Sequence, residues 1–150
     1  MGFIRPRRWP LAIELKQIST TLAGSWASAH RNSKTMILFG GDRLTCCDEF
    51  LAAFDGQEIV ALASIAPWGE EGEGTPTIVG LYVLYERRGQ GIGSILFEAT
   101  VKRCVERGFE KIRVDLMSAG MAHVVNRLSE DLRQRLMIVN HGQIMDSWPG

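Results

Sequence analysis

Three glycines alternate with other residues in Arg87-Arg88-Gly89-Gln90-Gly91-Ile92-Gly93-Ser94, directly behind an apolar run from Thr77 to Tyr85. Without a Cβ, a glycine lets backbone amides approach a ligand closely and take up dihedrals closed to other residues. The stretch that follows, Ile92 to Arg107, has Ile95, Leu96, Ala99, Val101 and Val105 spaced for a half-buried helix. A helix starting there points its unpaired N–H groups and the positive end of its dipole into the turn. That is an anion site suited to a pyrophosphate, and Arg87 and Arg88 add positive charge. Other phosphate loops fit worse. In a dinucleotide fingerprint the third glycine comes one residue later, and a P-loop needs Gly-Lys-Ser/Thr.

Other residues could carry proton transfer. Asp115 lies inside the apolar strand Ile112-Arg113-Val114-Asp115-Leu116. A buried carboxylate is unfavourable unless it is paired or functional, so an ion pair with Arg113 or a lysine and a catalytic base are both open readings. Glu70, Glu71 and Glu73 crowd one loop, as a solvated charged segment or a lure for a cationic amine. Cys46, Cys47 and Cys104 form neither a disulfide framework nor a zinc pattern. They read as reduced, structural thiols.

These groups need elements to position them. Residues 11–18 read as an opening strand. Ser19, Thr20 and Thr21 offer N-caps for a helix carrying Leu22, Trp26 and His30. Met36-Ile37-Leu38-Phe39 before Gly40-Gly41 suits a short strand or a short helix. Phe50 to Phe54 and Glu58 to Ile65 flank Asp55-Gly56, which predicts a hairpin. Thr77 to Tyr85 predicts a strand buried on both faces. Gly108 stands where a helix C-terminal cap belongs. Lys111 to Met117 predicts a strand, and Ala119 to Leu136 one helix with Met121, Val124, Val125, Leu128 and Leu132 on one face. Leu136–Asn140 and Gln143–Asp146, joined by His141-Gly142, suit a closing hairpin.

The chain has 150 residues, 45% hydrophobic and 23% charged, as expected of one soluble globular domain over 1–150. Seventeen basic residues balance seventeen acidic ones, so no nucleic-acid partner is expected. No apolar run reaches the roughly twenty residues of a membrane helix, so no membrane partner is expected either. Residues 1–10 carry Arg5, Arg7 and Arg8 with no apolar segment behind them and read as a loose leader, not a secretory signal. A cytoplasmic location follows as an expectation.

The full string Leu81-Tyr82-Val83-Leu84-Tyr85-Glu86-Arg87-Arg88-Gly89-Gln90-Gly91-Ile92-Gly93-Ser94 resembles the acetyl-CoA-binding segment of the GNAT superfamily of N-acetyltransferases. The family signature is Q/R-x-x-G-x-G/A after an apolar strand, matched by Arg88, Gly91 and Gly93. The resemblance extends from about Asp48 to Leu128. It implies a mixed α/β fold: a mostly antiparallel sheet with a splayed central parallel pair and helices on both faces. It implies an acetyltransferase that moves an acetyl group from acetyl-CoA to an amine by direct attack, with acetyl-CoA as co-substrate and no metal. Backbone amides from Arg88 through Gly89, Gln90, Gly91, Ile92 and Gly93 to Ser94 would hold the pyrophosphate. Leu81, Tyr82 and Val83 would pair with the pantetheine arm, and an N–H near Val83 would polarise the thioester carbonyl.

Two departures matter. Tyr85 stands where the family often has Pro. Aligning on Ala122 places Asn126 where the family has the Tyr that protonates the leaving thiolate, and Asn cannot deliver that proton. His123, one helical turn earlier, is the candidate stand-in, against the reading of an ordinary exposed helix histidine. Tyr82 is a second hydroxyl, against the reading of a packed aromatic. Asp115 is the candidate base, since some relatives place a catalytic Glu near it. A CoA-binding module without catalysis and a transferase of another acyl group are the alternatives. The acceptor, a small-molecule or peptide amine, and the oligomeric state, with a homodimer among the options, stay open.

Overall fold

The computed structural model describes residues 13–32, 47–66, 74–115 and 119–139. The expectations for residues 1–10, Met36–Phe39, Cys46, the Glu70–Glu73 loop and Gln143–Asp146 lie outside them.

Among the described residues, six strands form one sheet in the order β1-β2-β3-β4-β5-β6. They are β1 (Ile13–Ile18), β2 (Glu49–Asp55), β3 (Glu58–Ala66), β4 (Thr77–Val83), β5 (Ile112–Asp115) and β6 (Leu136–Val139). The helices are α1 (Thr20–Ala29), α2 (Ile92–Glu106), α3 (Ala119–Asn126) and α4 (Glu130–Arg133). Pairing is antiparallel from β1 to β4 and parallel from β4 to β6. The sheet is thus mixed α/β as expected, but the parallel part holds three strands where a pair was expected.

Local chemistry explains the element ends. Ser19 caps α1 by accepting from the Leu22 N–H at 3.1 Å. Asp55-Gly56 turns the β2–β3 hairpin, with Gly56 at φ 65°. The end of α2 is a Schellman motif. Gly108, at φ 94°, donates to Val105 O at 2.9 Å, and Phe109 donates to Cys104 O at 3.2 Å.

Helices cover both faces. Tyr82 and Val83 are neighbours on β4, so their side chains leave opposite faces of the sheet. Tyr82 meets Trp26 of α1 edge-on, with ring centroids 6.2 Å apart. Val83 lies against Gly93 at the start of α2, beside Val124 of α3. Between these layers β2 and β3 are buried almost throughout, and Phe50, Leu62, Ile65, Leu96 and Phe97 are fully enclosed.

Two further expectations are corrected. The strand β4 ends at Val83, because Leu84 begins a single 3-10 turn over Tyr85–Arg87 that leaves Tyr85 74% exposed. The helix expected over Ala119–Leu136 is two helices. Ser129 accepts from the Leu132 N–H at 3.4 Å and starts α4, whose first turn carries Glu130 and Asp131, charges that suit a helix N-terminus. The apolar face survives the break: Val125 and Leu128 are buried, and Met121, Val124 and Leu132 pack on the core.

Candidate active site

Within the sheet, β4 is interrupted on both of its sides. The β3–β4 ladder shifts register between Ser64 and Ile65: Ile65 pairs with Ile78 and Ser64 with Gly80, leaving Val79 as the extra residue of a bulge. A bulge bends its strand and increases the local twist. On the other side, the β4–β5 pairs among the described residues are Thr77↔Arg113 and Ile78↔Val114. Among the described residues the parallel pairing stops at Ile78, one residue before the bulge.

The direction of the freed groups follows from the ladder. Leu84 donates its N–H to Val60 O at 2.9 Å. In an antiparallel pair the polar backbone atoms of alternate residues point to the same side, so Tyr82 also faces β3. Leu81 and Val83 then turn their N–H and C=O groups toward the β5 side, where no strand pairs with them among the described residues. Asp115 follows Val114 on β5, just past the last β4 partner, and registers with Val139 of β6.

At the end of β4 the glycine loop turns the chain into α2. Gly89 and Gly91 both take the left-handed backbone, at φ 79° and 82°, with Gly91 as the N-cap of α2. The first bond into the cap runs from Ile95 N–H to Gly91 O at 3.1 Å, so the amides of Ile92, Gly93 and Ser94 have no intrahelical acceptor. Such amides, together with the dipole of a 15-residue helix, suit an anion.

The two arginines have different tasks. Arg87 was expected to add charge to the loop. Instead its Nη2 holds Asp55 Oδ2 at 2.7 Å, its Nη1 lies 4.0 Å from Glu58, and its Nε donates to Gln90 Oε1 at 3.5 Å. It ties the loop to the β2–β3 hairpin. Arg88 is exposed; its Nε donates to Val83 O at 3.0 Å, and its guanidinium lies over the rings of Tyr82 and Tyr85, at 5.0 and 5.6 Å.

Among the candidate proton carriers, His123 is exposed on α3, next to the Val124 that touches the start of α2. Asn126 is also exposed, and its carbonyl accepts from Arg133 Nη1 at 3.2 Å. The Tyr82 side chain is 4% exposed with its hydroxyl accepting from Asn32 Nδ2 at 2.7 Å on the α1 face. That is a packed aromatic. Cys47 and Cys104 are buried, and burial, then the Glu49 charge, pushes the Cys104 thiol up to about 12. Neither environment makes a nucleophile. Among the described residues no cluster of three or more His, Cys, Asp or Glu could hold a metal ion, and no helix is long and apolar enough to cross a membrane.

One cluster was not singled out from the sequence. Trp26, His30, Asn32 and Tyr82 gather on the α1 side of β4, with Trp26 and His30 ring centroids 4.9 Å apart. The only cue was the spacing of Trp26 and His30, one helical turn apart.

The description "Acetyltransferase (GNAT) family" matches residues 16–124, which take in the hairpin, the bulged strand, the glycine loop and α2. The chain belongs to the GNAT acetyltransferases. Acetyl-CoA is the acetyl donor of this family. No curated protein sequence matches the chain. Solved structures share the fold. A ribosomal-protein-alanine N-acetyltransferase from Brucella melitensis biovar Abortus 2308 is 20% identical with a TM-score of 0.52, over 69% of this chain and 79% of that one. A GNAT family acetyltransferase from Elizabethkingia anophelis with acetyl-CoA bound is 19% identical with a TM-score of 0.54, over 78% and 74%. An aminoglycoside acetyltransferase from an uncultured soil metagenomic sample, in complex with trehalose, is 17% identical with a TM-score of 0.51, over 70% and 78%.

Proposed function

We propose that this GNAT acetyltransferase binds acetyl-CoA across the β4–β5 gap and passes the acetyl group directly to an amine. The observation that carries the reading is the bulge at Val79, beyond which the backbone groups of Leu81 and Val83 face away from β3, just ahead of the α2 N-terminus. Pantetheine amides would pair with Leu81 and Val83 as a short added strand. The amides of Ile92, Gly93 and Ser94 would take the pyrophosphate, with Gly89, Gln90, Gly91 and Arg88 shaping the loop around it. The Val83 N–H would polarise the thioester carbonyl. Fixing donor and acceptor in one gap supplies the orientation that the reaction needs.

In this reading the amine, once deprotonated, attacks the thioester carbonyl. Asp115, at the point where β4 and β5 part, is the base. His123 returns a proton to the departing CoA thiolate. The acceptor is a small-molecule or peptide amine, because solved structures with this fold include an enzyme named for a ribosomal-protein alanine and others named for aminoglycosides. The buried thiol of Cys104 fits a reducing, cytoplasmic setting.

The test is release of free CoA from acetyl-CoA with a panel containing an alanine-initiated peptide, an aminoglycoside, a polyamine and free amino acids. CoA release that depends on one amine, with a matching mass gain of one acetyl group, supports the reading. Binding of acetyl-CoA with no turnover across the panel supports the second reading, a CoA-binding module, which the Asn126 position favours.

A further inference from the structure

We propose that a water molecule is bound inside the protein between Ser64 of β3 and Thr77 of β4, and that it holds the bulge at which β4 bends. Its role for the donor rests on the assignment of Leu81 and Val83 to the pantetheine arm.

Two hydroxyls are out of place in a dry core. Ser64 and Thr77 are each 1% exposed. Among the described residues neither Ser64 Oγ nor Thr77 Oγ1 has a hydrogen-bond partner. A buried hydroxyl without a partner is destabilising, and nearly all such groups in folded proteins are bonded to protein or to ordered water.

The ladder brings the two together. Ala66 pairs with Thr77, and Ser64 pairs with Gly80. Residues 64 and 66 share one face of β3, and directly opposite partners share a face, so both hydroxyls leave the sheet on the same side. That is the α1 side, because Tyr82, opposite Leu62, meets Trp26 there. Ser64 and Thr77 are thus diagonal neighbours, a relation that sets residues roughly 7–8 Å apart. Their oxygens do not bond each other directly. A water can span two oxygens at such a separation, and Gly80, opposite Ser64, puts no side chain between them.

The bulge supplies a third partner. Val79 is the extra residue, and the backbone of an extra residue is left out of the ladder. A buried water makes about three hydrogen bonds, the number that two hydroxyls and this backbone provide. Thr77 precedes the bulge, and Ser64 faces the strand just beyond it. A water fixed to both keeps the register shift in place, and with it the course of β4 into Leu81 and Val83.

The test compares full-length wild type with Ser64→Ala, Thr77→Val and the double variant. With the water present, each single change removes one of its bonds, so Tm should fall by roughly 3 °C. The double variant should lose clearly less than the sum, because a shared water is lost only once. In a dry site, Thr77→Val replaces an orphaned hydroxyl by a methyl of the same shape, and Tm rises. A rise, or losses that simply add, overturns the proposal. A crystal structure of the wild type should show a solvent peak within hydrogen-bond distance of Ser64 Oγ and Thr77 Oγ1, and a dry site there overturns it as well. Calorimetric titration with CoA, at a temperature where every form is folded, reads the hold on β4. Thr77→Val should bind CoA several-fold more weakly than wild type does, and an unchanged affinity overturns the positioning role. Wild type that binds no CoA strikes the donor assignment and that role with it, while the water is still decided by Tm and by the crystal.

Discussion

Gly93 lies against Val83: a Cβ built on Gly93 would stand 3.4 Å from Val83 Cγ2 and 3.6 Å from Val124 Cγ1. That is ordinary contact, and the backbone of Gly93 is helical. Gly89 and Gly91 are different, because both take positive φ. Gly93→Ala should therefore stabilise the chain by about 0.5 kcal/mol through helix propensity. Its CoA affinity should stay near wild type, since the added methyl points at Val83 and Val124. Gly91→Val should lose CoA binding and also some stability, of order 1–2 kcal/mol, because a β-branched residue is strained in the left-handed region. Thermal melts with CoA titrations of both variants separate the two effects. Unchanged CoA affinity in folded Gly91→Val would remove the loop from the site.

That contrast bears on what was legible beforehand. Alternating glycines after an apolar run and before an amphipathic stretch pointed to an anion loop, and the family signature narrowed it to acetyl-CoA. The pattern does not distinguish Gly93, a packing residue, from Gly89 and Gly91, which need their dihedrals. The bulge at Val79 left no mark either, because Val79 sits in an unbroken apolar strand and a register shift depends on the partner. The helix break at Arg127–Ser129 did leave one. Ser129 followed by Glu130 and Asp131 is a cap signal, hidden by an apolar face that continues through it. The parallel pairing of β6 is a tertiary choice that local pattern does not encode.

Arg87 and Asp55 set the height of the loop over the hairpin. Their bond is 2.7 Å, both side chains are partly exposed, and neither is assigned to a ligand. Arg87→Ala should raise KM for acetyl-CoA several-fold with little change in kcat, through a less ordered loop. Asp55→Asn should do the same more mildly, and the double variant should be no worse than Arg87→Ala alone. Steady-state kinetics on the four forms measures this coupling. Fully additive effects would show that the pair does not act as a unit.

Glu49 opens β2 with 5% side-chain exposure and accepts from Arg103 Nε at 2.7 Å and Arg107 Nη1 at 2.9 Å. Both arginines belong to the C-terminal end of α2, so this carboxylate fastens the helix to the sheet. Removing one side of a buried ion pair strands its partner charges. Here the arginines reach solvent in part, which softens the loss. Glu49→Ala should lower Tm by roughly 5 °C, with CoA affinity little changed, because the contact is at the far end of α2 from the loop. An unaltered Tm would mean that core packing alone seats the helix.

Cys104 gives a pH signature. Burial, then the Glu49 charge, raises its thiol to about 12, while an unfolded thiol titrates near 8.5–9. Below about pH 9 both states keep the proton and the group contributes no pH dependence. Between about pH 9 and 12 the unfolded chain gives up a proton that the folded chain retains, so stability falls as pH rises. Cys104→Ala should flatten that fall in urea titrations at pH 8 and pH 10. The native thiol should also resist maleimide at pH 8 and react on unfolding. Rapid labelling of the folded protein at Cys104 would contradict its burial.

The leaving CoA thiolate needs a proton donor. Asn126 stands at the family's Tyr position and has no proton to give in that way. His123 is three residues earlier on α3, exposed, on a helix packed through Val124 against the start of α2. Tyr82 is the weaker candidate, because its hydroxyl is engaged by Asn32 on the opposite, α1 face. His123→Ala should lower kcat by roughly 10²-fold, the usual scale of general acid catalysis. CoA affinity should hardly change, since the assigned phosphate contacts lie on the loop. The acid limb of a pH profile reports macroscopic values of the whole site, so it does not by itself assign His123. The decisive condition is one where chemistry limits the rate, set by single-turnover measurement with saturating amine. Wild-type turnover there would eliminate His123. Tyr82→Phe would then be measured under the same condition, and no effect from either would assign the proton to solvent, a workable donor because CoA thiolate is itself a good leaving group.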